Sequence, residues 1–122
     1  MRYILFLAFA FTLALAVPAF ANYDSGDSAM ASPAAADKTA AHHNDAGIKT
    51  YNAGDFAGAA GHFREAVKIA PNFAEAHFNL GLALHGAKKH QDAAVEFKLA
   101  KKLAPNNKAI ADSKILDKHV NM

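Results

Sequence analysis

The spacing of apolar residues in the second half of the chain predicts helices. Between residues 91 and 103 they recur every three or four positions and so fall on one face of a helix. Between residues 74 and 87 they cover most of the helix circumference, which is typical of a helix buried on two sides. The apolar residues of these two stretches are Phe78, Leu80, Leu82, Ala83, Leu84, Ala93, Ala94, Phe97, Ala100 and Leu103. The pattern therefore indicates an all-α fold.

Two prolines mark helix ends. Pro71 and Pro105 each follow an apolar run that ends in alanine, and the residue before a proline is disfavoured in the helical conformation. A last helix is expected at about residues 108–120, where Ile110 and Ile115 lie on one side. The chain is therefore expected to contain five helices.

The chain also contains an internal repeat. Pro71-Asn72 and Pro105-Asn106 are 34 residues apart, and the same shift superposes many other pairs. The most informative pairs are His43 with His77, Gly47 with Gly81, Ala59 with Ala93, Phe63 with Phe97, and Ala66 with Ala100. Because glycine, phenylalanine, proline and histidine all coincide at one shift, the abundance of alanine does not explain the match.

The period and these residues resemble the tetratricopeptide repeat. In the second unit the family pattern is matched by Leu80-Gly81, Ala93, Phe97, Ala100 and Pro105, with His77 and Leu84 in two aromatic places. The first unit matches at Gly47, Ala59, Phe63, Ala66 and Pro71, and departs from the pattern at His43, Ala46 and Thr50. The resemblance implies a tetratricopeptide-type α-α superhelix with repeats at 40–73 and 74–107 and a capping helix at 108–122.

The small residues at repeated places have a physical purpose. Glycine and alanine at positions such as Gly47 and Gly81 remove side-chain bulk, which lets paired helices approach to the short end of the usual interaxial distances. We expect Phe63 and Phe97 to fill the space between consecutive layers.

The first part of the chain predicts export. Arg2 precedes a largely apolar run from Tyr3 to Val17, and Ala19-Phe20-Ala21 after Pro18 fits a signal-peptidase site. We expect residues 1–21 to be a signal peptide cleaved after Ala21, which gives a periplasmic or secreted protein. A retained membrane anchor is the alternative, although the run is shorter than the roughly 20 residues that a span needs. Residues 22–39, rich in Ser, Asp and Ala, are expected to form a flexible linker.

Composition and motifs favour a non-catalytic role. The chain has no cysteine, so thiol catalysis and thiolate metal sites are excluded, and its net charge of +2 suggests no nucleic-acid partner. No nucleophile, phosphate-loop or dinucleotide motif is present. We therefore expect no enzymatic activity and no cofactor.

Seven histidines are the one unusual feature of the composition. Histidine ligands on one helix are usually three or four residues apart, and no pair here has that spacing. His43 and His77 occupy equivalent repeat places that normally hold a packing residue. We interpret these two as core or edge residues and expect no metal site, with imidazole ligation of zinc, copper or nickel by the histidines as the alternative.

The resemblance further implies a concave groove lined by the first helix of each repeat. The groove places carried across to this chain are Asn44, Asp45, Ile48, Tyr51, Asn52, Glu75, Phe78, Asn79, Leu82 and His85, with Asp112 from the capping helix. Four of these are expected to be partly exposed apolar residues, namely Ile48, Tyr51, Phe78 and Leu82. The alternative is that these four side chains complete the core. Such a groove suits an extended or helical peptide of a protein partner.

A second class of function stays open. Two repeats are fewer than the three or so that usually give a stable array, because one unit cannot bury its apolar face alone. The protein is therefore expected either to bind a partner protein as an adaptor or to associate with itself as a structural subunit of a cell-envelope assembly. No membrane insertion is expected once the signal peptide is removed.

Overall fold

The computed structural model describes residues 27–121, and the predicted signal peptide lies outside them. Within these residues the chain is all-helical, and the helices are α1 (Lys38–Asn52), α2 (Phe56–Ile69), α3 (Ala74–Gly86), α4 (His90–Leu103), α5 (Lys108–Ala111) and α6 (Lys114–Val120). The helices α1 and α2 pack as one hairpin, α3 and α4 pack as a second, and α6 closes the array against α4. The predicted fold class is therefore confirmed. None of these described helices has both the length and the apolar character needed to cross a bilayer.

Four helices begin at a polar residue that caps them. The Asp37 carboxylate accepts hydrogen bonds from the backbone N–H groups of Thr39 and Ala40, both at 2.9 Å, and Asp55 accepts one from Gly58. The helices α5 and α6 are capped in the same way by Asn107 and Ser113. The helices α3 and α4 have no side-chain cap, so their positions depend on the packing of their apolar residues.

The C-terminal region differs from the single helix expected at 108–120. The chain forms two short helices, because α5 ends before Asp112 and Ser113 begins α6. The Ser113 hydroxyl accepts a hydrogen bond from the backbone N–H of Leu116 at 3.1 Å, which is the geometry of a helix N-cap. The described part of the chain thus has six helices, and the prediction of five is wrong.

The core is built around three fully buried phenylalanines, Phe63, Phe78 and Phe97. The Phe78 and Phe97 rings, from α3 and α4, have centroids 5.5 Å apart. Phe63 lies against Gly47 of its own hairpin, where a Cβ would be 2.5 Å from the ring carbon Cε1. The predicted purpose of the repeated glycines is therefore confirmed, since only hydrogen fits between the ring and the α1 backbone.

The turns within the two hairpins are equivalent but use different residues. Gly54 follows α1 with a φ of 83°, in the left-handed region that glycine adopts without strain. Lys88, the residue 34 positions later, follows α3 with a φ of 65°. The two hairpins therefore share one turn geometry, and the second adopts it with a residue for which it is unfavourable.

Candidate functional site

A non-helical segment of the chain contacts the first helices of both hairpins. Residues 27–32, which we call the arm, precede α1 and belong to the region expected to be a flexible linker. Within the arm, Ala29 and Met30 are partly buried and pack against the main hydrophobic core. The face of α1 and α3 that holds the arm is called the inner face below. Hydrogen bonds to the backbone of the arm add to the apolar contacts of these two side chains.

Asn79 of α3 holds the arm at the backbone of one residue. Its side-chain carbonyl Oδ1 accepts a hydrogen bond from the Met30 N–H at 2.6 Å, and its Nδ2 donates one to the Met30 carbonyl at 2.8 Å. Asn79 is completely buried, so these two bonds satisfy polar groups that water does not reach. This pairing uses only main-chain atoms of the arm and so resembles the pairing of a strand with its neighbour.

Asn44 of α1 extends the same network. Its Nδ2 donates hydrogen bonds to the Met30 carbonyl at 3.1 Å and to the Ser32 hydroxyl at 3.0 Å. Its Oδ1 accepts a hydrogen bond from Asn79 Nδ2 at 2.8 Å, so the two amides join α1 to α3 beneath the arm. At the edge of the site, the Ser32 hydroxyl lies 3.4 Å from the Asp45 carboxylate. Asn44, Asp45 and Asn79, all predicted groove residues, therefore share one site.

The other end of the arm contacts the C-terminal helices. The Asp27 carboxylate accepts hydrogen bonds from the Ser113 hydroxyl at 2.9 Å and from the backbone N–H of Ile115 at 3.1 Å. Asp112, the residue of this region that was expected to line the groove, is exposed and follows the last residue of α5. The contact is made by Ser113 because the break between α5 and α6 turns its buried hydroxyl toward the arm.

The remaining predicted groove residues have different surroundings. Ile48 and Tyr51 are partly buried and pack against the main core, and the Tyr51 ring lies 5.3 Å from that of Phe56. Asn52 is exposed at the end of α1. Glu75 is partly buried and accepts a hydrogen bond from Asn107 at 3.3 Å, away from the arm.

The expected partial exposure of Phe78 and Leu82 is wrong. Both side chains are fully buried in the core cluster against which Ala29 and Met30 pack. The sequence placed them at the groove surface because residues 27–32 were not expected to pack on the inner face. Neither side chain is therefore available to a partner at the surface.

His77 is a buried residue of α3, as the packing interpretation of this histidine requires. Its Nδ1 lies 2.6 Å from the Glu96 carboxylate of α4, and its Nε2 lies 2.8 Å from the Pro71 carbonyl. Burial acts to lower the pKa of His77. The hydrogen bonds to Glu96 and Pro71, together with the negative charge of Glu96, outweigh the effect of burial and raise the pKa above 6.5. The His77 ring therefore links α3 to α4 through Glu96.

His85, the last of the predicted groove residues, lies near the end of α3 and contacts two other histidines rather than the arm residues above. His90 begins α4 and His119 lies in α6, and the rings of both are within 5 Å of the His85 ring by centroid. The sequence analysis did not find this cluster because its members come from three helices. The spacing of three or four residues that it used applies only to histidine ligands on a single helix.

The family model for the tetratricopeptide repeat matches residues 44–108, which is more than half of the chain. Together with the two equivalent hairpins, this match shows that the chain belongs to the tetratricopeptide repeat family. Repeats of this family are non-catalytic modules that generally mediate protein–protein interaction. Comparison with curated proteins and with solved structures gave no match.

Proposed function

We propose that the protein is an adaptor whose inner face binds an extended segment of a partner protein. The observation that carries the proposal is the pair of hydrogen bonds between Asn79 and the main chain of Met30. Any residue except proline offers the same donor and acceptor, so a partner segment can use this site in place of the arm. Asn44 and Asp45 contact the same arm, Asn44 at Met30 and Ser32 and Asp45 at Ser32.

The arm indicates which partner segments fit. Met30 is the large apolar residue of the sequence Asp27-Ser28-Ala29-Met30-Ala31-Ser32, and small residues flank it. A partner segment therefore needs one unbranched or medium-sized apolar side chain for the Met30 position, and small neighbours that let its backbone approach the two asparagines. Such recognition combines main-chain bonds for affinity with one side-chain position for specificity.

The arm also competes with the partner. It is tethered directly to α1, and a short tether holds a ligand at an effective concentration in the millimolar range. A partner must therefore displace the arm. Its apparent affinity is its affinity for the open inner face multiplied by the fraction of molecules in which that face is open. The arm thus acts as a built-in inhibitor of partner binding.

A labelled peptide with the sequence of residues 27–34 tests this function. Met30→Pro removes the N–H that Asn79 binds and should release the arm without altering α1 or α3. We expect this variant to bind the peptide at least about tenfold more tightly than the unaltered protein does. Ser28→Pro, at an exposed position of the arm, is the matched control and should change the affinity less.

The inner face itself is tested by a second change on the Met30→Pro background. Adding Asn79→Ala should abolish peptide binding, while adding Asn52→Ala at the exposed end of α1 should leave it unchanged. Equal peptide binding by the Met30→Pro protein with and without Asn79→Ala would rule out this site.

Self-association is the second candidate, and one observation favours it. The arm is a ligand for the inner face, so the arm of one copy can occupy the inner face of another and build a subunit assembly. Thermal melting followed by circular dichroism should then depend on protein concentration. A midpoint that is constant over a hundredfold range of concentration would exclude obligate assembly.

We also propose that the adaptor works outside the cytoplasm, in the periplasm or as a secreted protein. Support comes from the sequence alone, namely Arg2, the apolar run Tyr3–Val17 and the small residues Ala19 and Ala21. N-terminal sequencing of the protein recovered from the cell envelope tests this proposal. A first residue of Asn22 is expected, and recovery of the chain beginning at Met1 would contradict cleavage.

A further inference from the structure

Three histidine side chains direct ring nitrogens at a common point. His85 Nδ1 lies 2.9 Å from His119 Nε2 and 3.1 Å from His90 Nδ1, and His119 Nε2 lies 3.5 Å from His90 Nδ1. The three atoms therefore form a nearly equilateral triangle. His119 is 3% exposed and the other two residues are partly buried.

Hydrogen bonds alone do not satisfy this triangle. Each ring nitrogen either carries a hydrogen and donates, or has a lone pair and accepts. Around three atoms in mutual contact donors and acceptors cannot alternate, so at least one contact always joins two donors or two acceptors. The Nδ1 of His119 lies 2.8 Å from the Ile115 carbonyl and so carries the hydrogen that this bond requires. In the tautomer with no hydrogen on Nε2, that atom is an acceptor, and the conflict remains whichever roles the other two rings take. A cation bound to all three lone pairs removes the conflict.

The size of the triangle fits a tetrahedral metal ion. A zinc–nitrogen distance of about 2.0–2.1 Å places two ligand nitrogens of a tetrahedron about 3.3–3.4 Å apart. The three observed separations, 2.9, 3.1 and 3.5 Å, bracket that value. We propose that His85, His90 and His119 bind a divalent first-row transition metal ion, with zinc as the ion of matching geometry. Three imidazole ligands also suit copper and nickel, and the fourth ligand of zinc would be water or an oxygen group.

The surroundings hold one ligand in place. The Ile115 carbonyl accepts the hydrogen bond from His119 Nδ1, which fixes the ring so that Nε2 points at the other two histidines. The Phe97 ring packs against the same imidazole at a centroid distance of 5.5 Å. A ligand whose second nitrogen is bound to a carbonyl is typical of histidine metal sites.

The electrostatics act in both directions. Burial is the main reason that the pKa of His85 is lowered to about 4. Smaller contributions come from the charges of His119, His90, Lys88 and Lys118. The two lysines also repel a bound cation, so the three nitrogens must bind strongly enough to overcome that repulsion.

Metal binding would connect the capping helix to the second repeat. His85 lies in the last turn of α3, His90 begins α4 and His119 lies in α6, so one ion would join three helices. It would also steady the segment whose Ser113 and Ile115 hold Asp27 of the arm. The site is separate from the asparagines of the inner face, and the proposal does not depend on peptide binding.

Zinc binding to the purified full chain tests the proposal. The protein carries no histidine tag, is dialysed against a chelator, and is titrated with zinc in competition with a chromophoric chelator. We expect one zinc per chain and a rise in melting temperature of about 10 °C at zinc about a hundredfold above the dissociation constant. Cobalt in place of zinc should give the intense visible absorption of a tetrahedral complex.

Single-ligand variants connect the binding to this cluster. His85→Ala and His90→Ala, both at partly buried positions, should each weaken zinc binding at least about a hundredfold while keeping the helical circular dichroism. His62→Ala, at a partly buried position of α2, is the matched control and should bind zinc as the unaltered protein does. Absence of stoichiometric zinc, or equal zinc affinity in the three variants, would overturn the proposal.

Discussion

The ring of Phe97 lies directly against the backbone of Gly81. A Cβ built on Gly81 would be 2.6 Å from the ring carbon Cε1, closer than van der Waals contact permits. Gly47 and Phe63 stand in the same relationship in the first hairpin. Each hairpin of the protein is therefore closed by one glycine and one phenylalanine at equivalent positions.

Replacing either glycine should destabilise the fold. Gly81→Ala forces Phe97, which is fully buried, to move within a packed core, and such overpacking costs about 1–3 kcal/mol of unfolding free energy. Gly47→Ala should act similarly through Phe63. Urea denaturation followed by circular dichroism measures both.

Gly61→Ala is the control, because nothing lies within 4 Å of its added Cβ, and it should stabilise by roughly 0.5–1 kcal/mol. A loss of stability in Gly61→Ala as large as in Gly81→Ala would contradict the steric explanation.

Asn79→Ala should detach the arm. The change leaves the Met30 N–H without its 2.6 Å acceptor and also removes the donor to Asn44, so it should cost about 1–3 kcal/mol. Hydrogen exchange of the Met30 amide should become much faster, and mild proteolysis should cut the arm sooner. Asn52→Ala, at the exposed end of α1, should change stability by no more than about 0.5 kcal/mol. Unchanged exchange at Met30 in Asn79→Ala would show that the amide does not hold the arm.

The His77–Glu96 pair should make stability depend on pH. The pKa of His77 is raised in the folded state above its unfolded value of 6.5. The stabilisation from the protonated ring is therefore complete below pH 6.5 and is lost as the pH rises through the raised pKa. Glu96→Gln should flatten this part of the stability curve.

Urea midpoints measured across that pH range, for the unaltered protein and for Glu96→Gln, give the effect as a difference. Glu65→Gln, the same substitution at an exposed position of α2, is the control. If Glu65→Gln alters the pH dependence of stability as much as Glu96→Gln does, the His77–Glu96 pair is not its cause.

Lys88→Gly should stabilise the protein. Lys88 has a φ of 65°, whereas the equivalent turn residue of the first hairpin is a glycine. Relief of this unfavourable backbone conformation should raise the unfolding free energy by roughly 0.5–1 kcal/mol, net of the greater freedom of glycine in the unfolded chain. Lys88→Ala keeps the strain and loses the same charge, so it should give no gain. If Lys88→Ala stabilises as much as Lys88→Gly, the charge rather than the backbone is responsible.

The sequence predicted the repeat architecture because packing residues determine it locally. Pro71 and Pro105 end apolar runs, and the glycine–phenylalanine pairs recur at one shift. The break between α5 and α6 was missed because the pattern of apolar residues continues through it. The capping hydroxyl of Ser113, which causes the break, carries no such periodic signal.

The candidate site was predicted only in part. Asn44 and Asn79 were expected on one shared face, and they are hydrogen-bonded to each other there, because their repeat positions determine which face of α1 and α3 they occupy. The arm was not anticipated, since its main contacts are backbone hydrogen bonds and its composition is that of a linker. The cluster of His85, His90 and His119 was equally hidden, because the distance between α4 and α6 depends on tertiary packing.

The position of the arm affects the order in which the protein folds. Each hairpin forms from residues near one another in the sequence, and such local contacts form early. Met30 reaches Asn79 across 49 residues, and Asp27 reaches Ser113 across 86. Closing these loops gains few contacts until both hairpins and α6 are in place. Docking of the arm should therefore be the final event of folding and the first to reverse, so a newly folding chain would present an open inner face before the arm covers it.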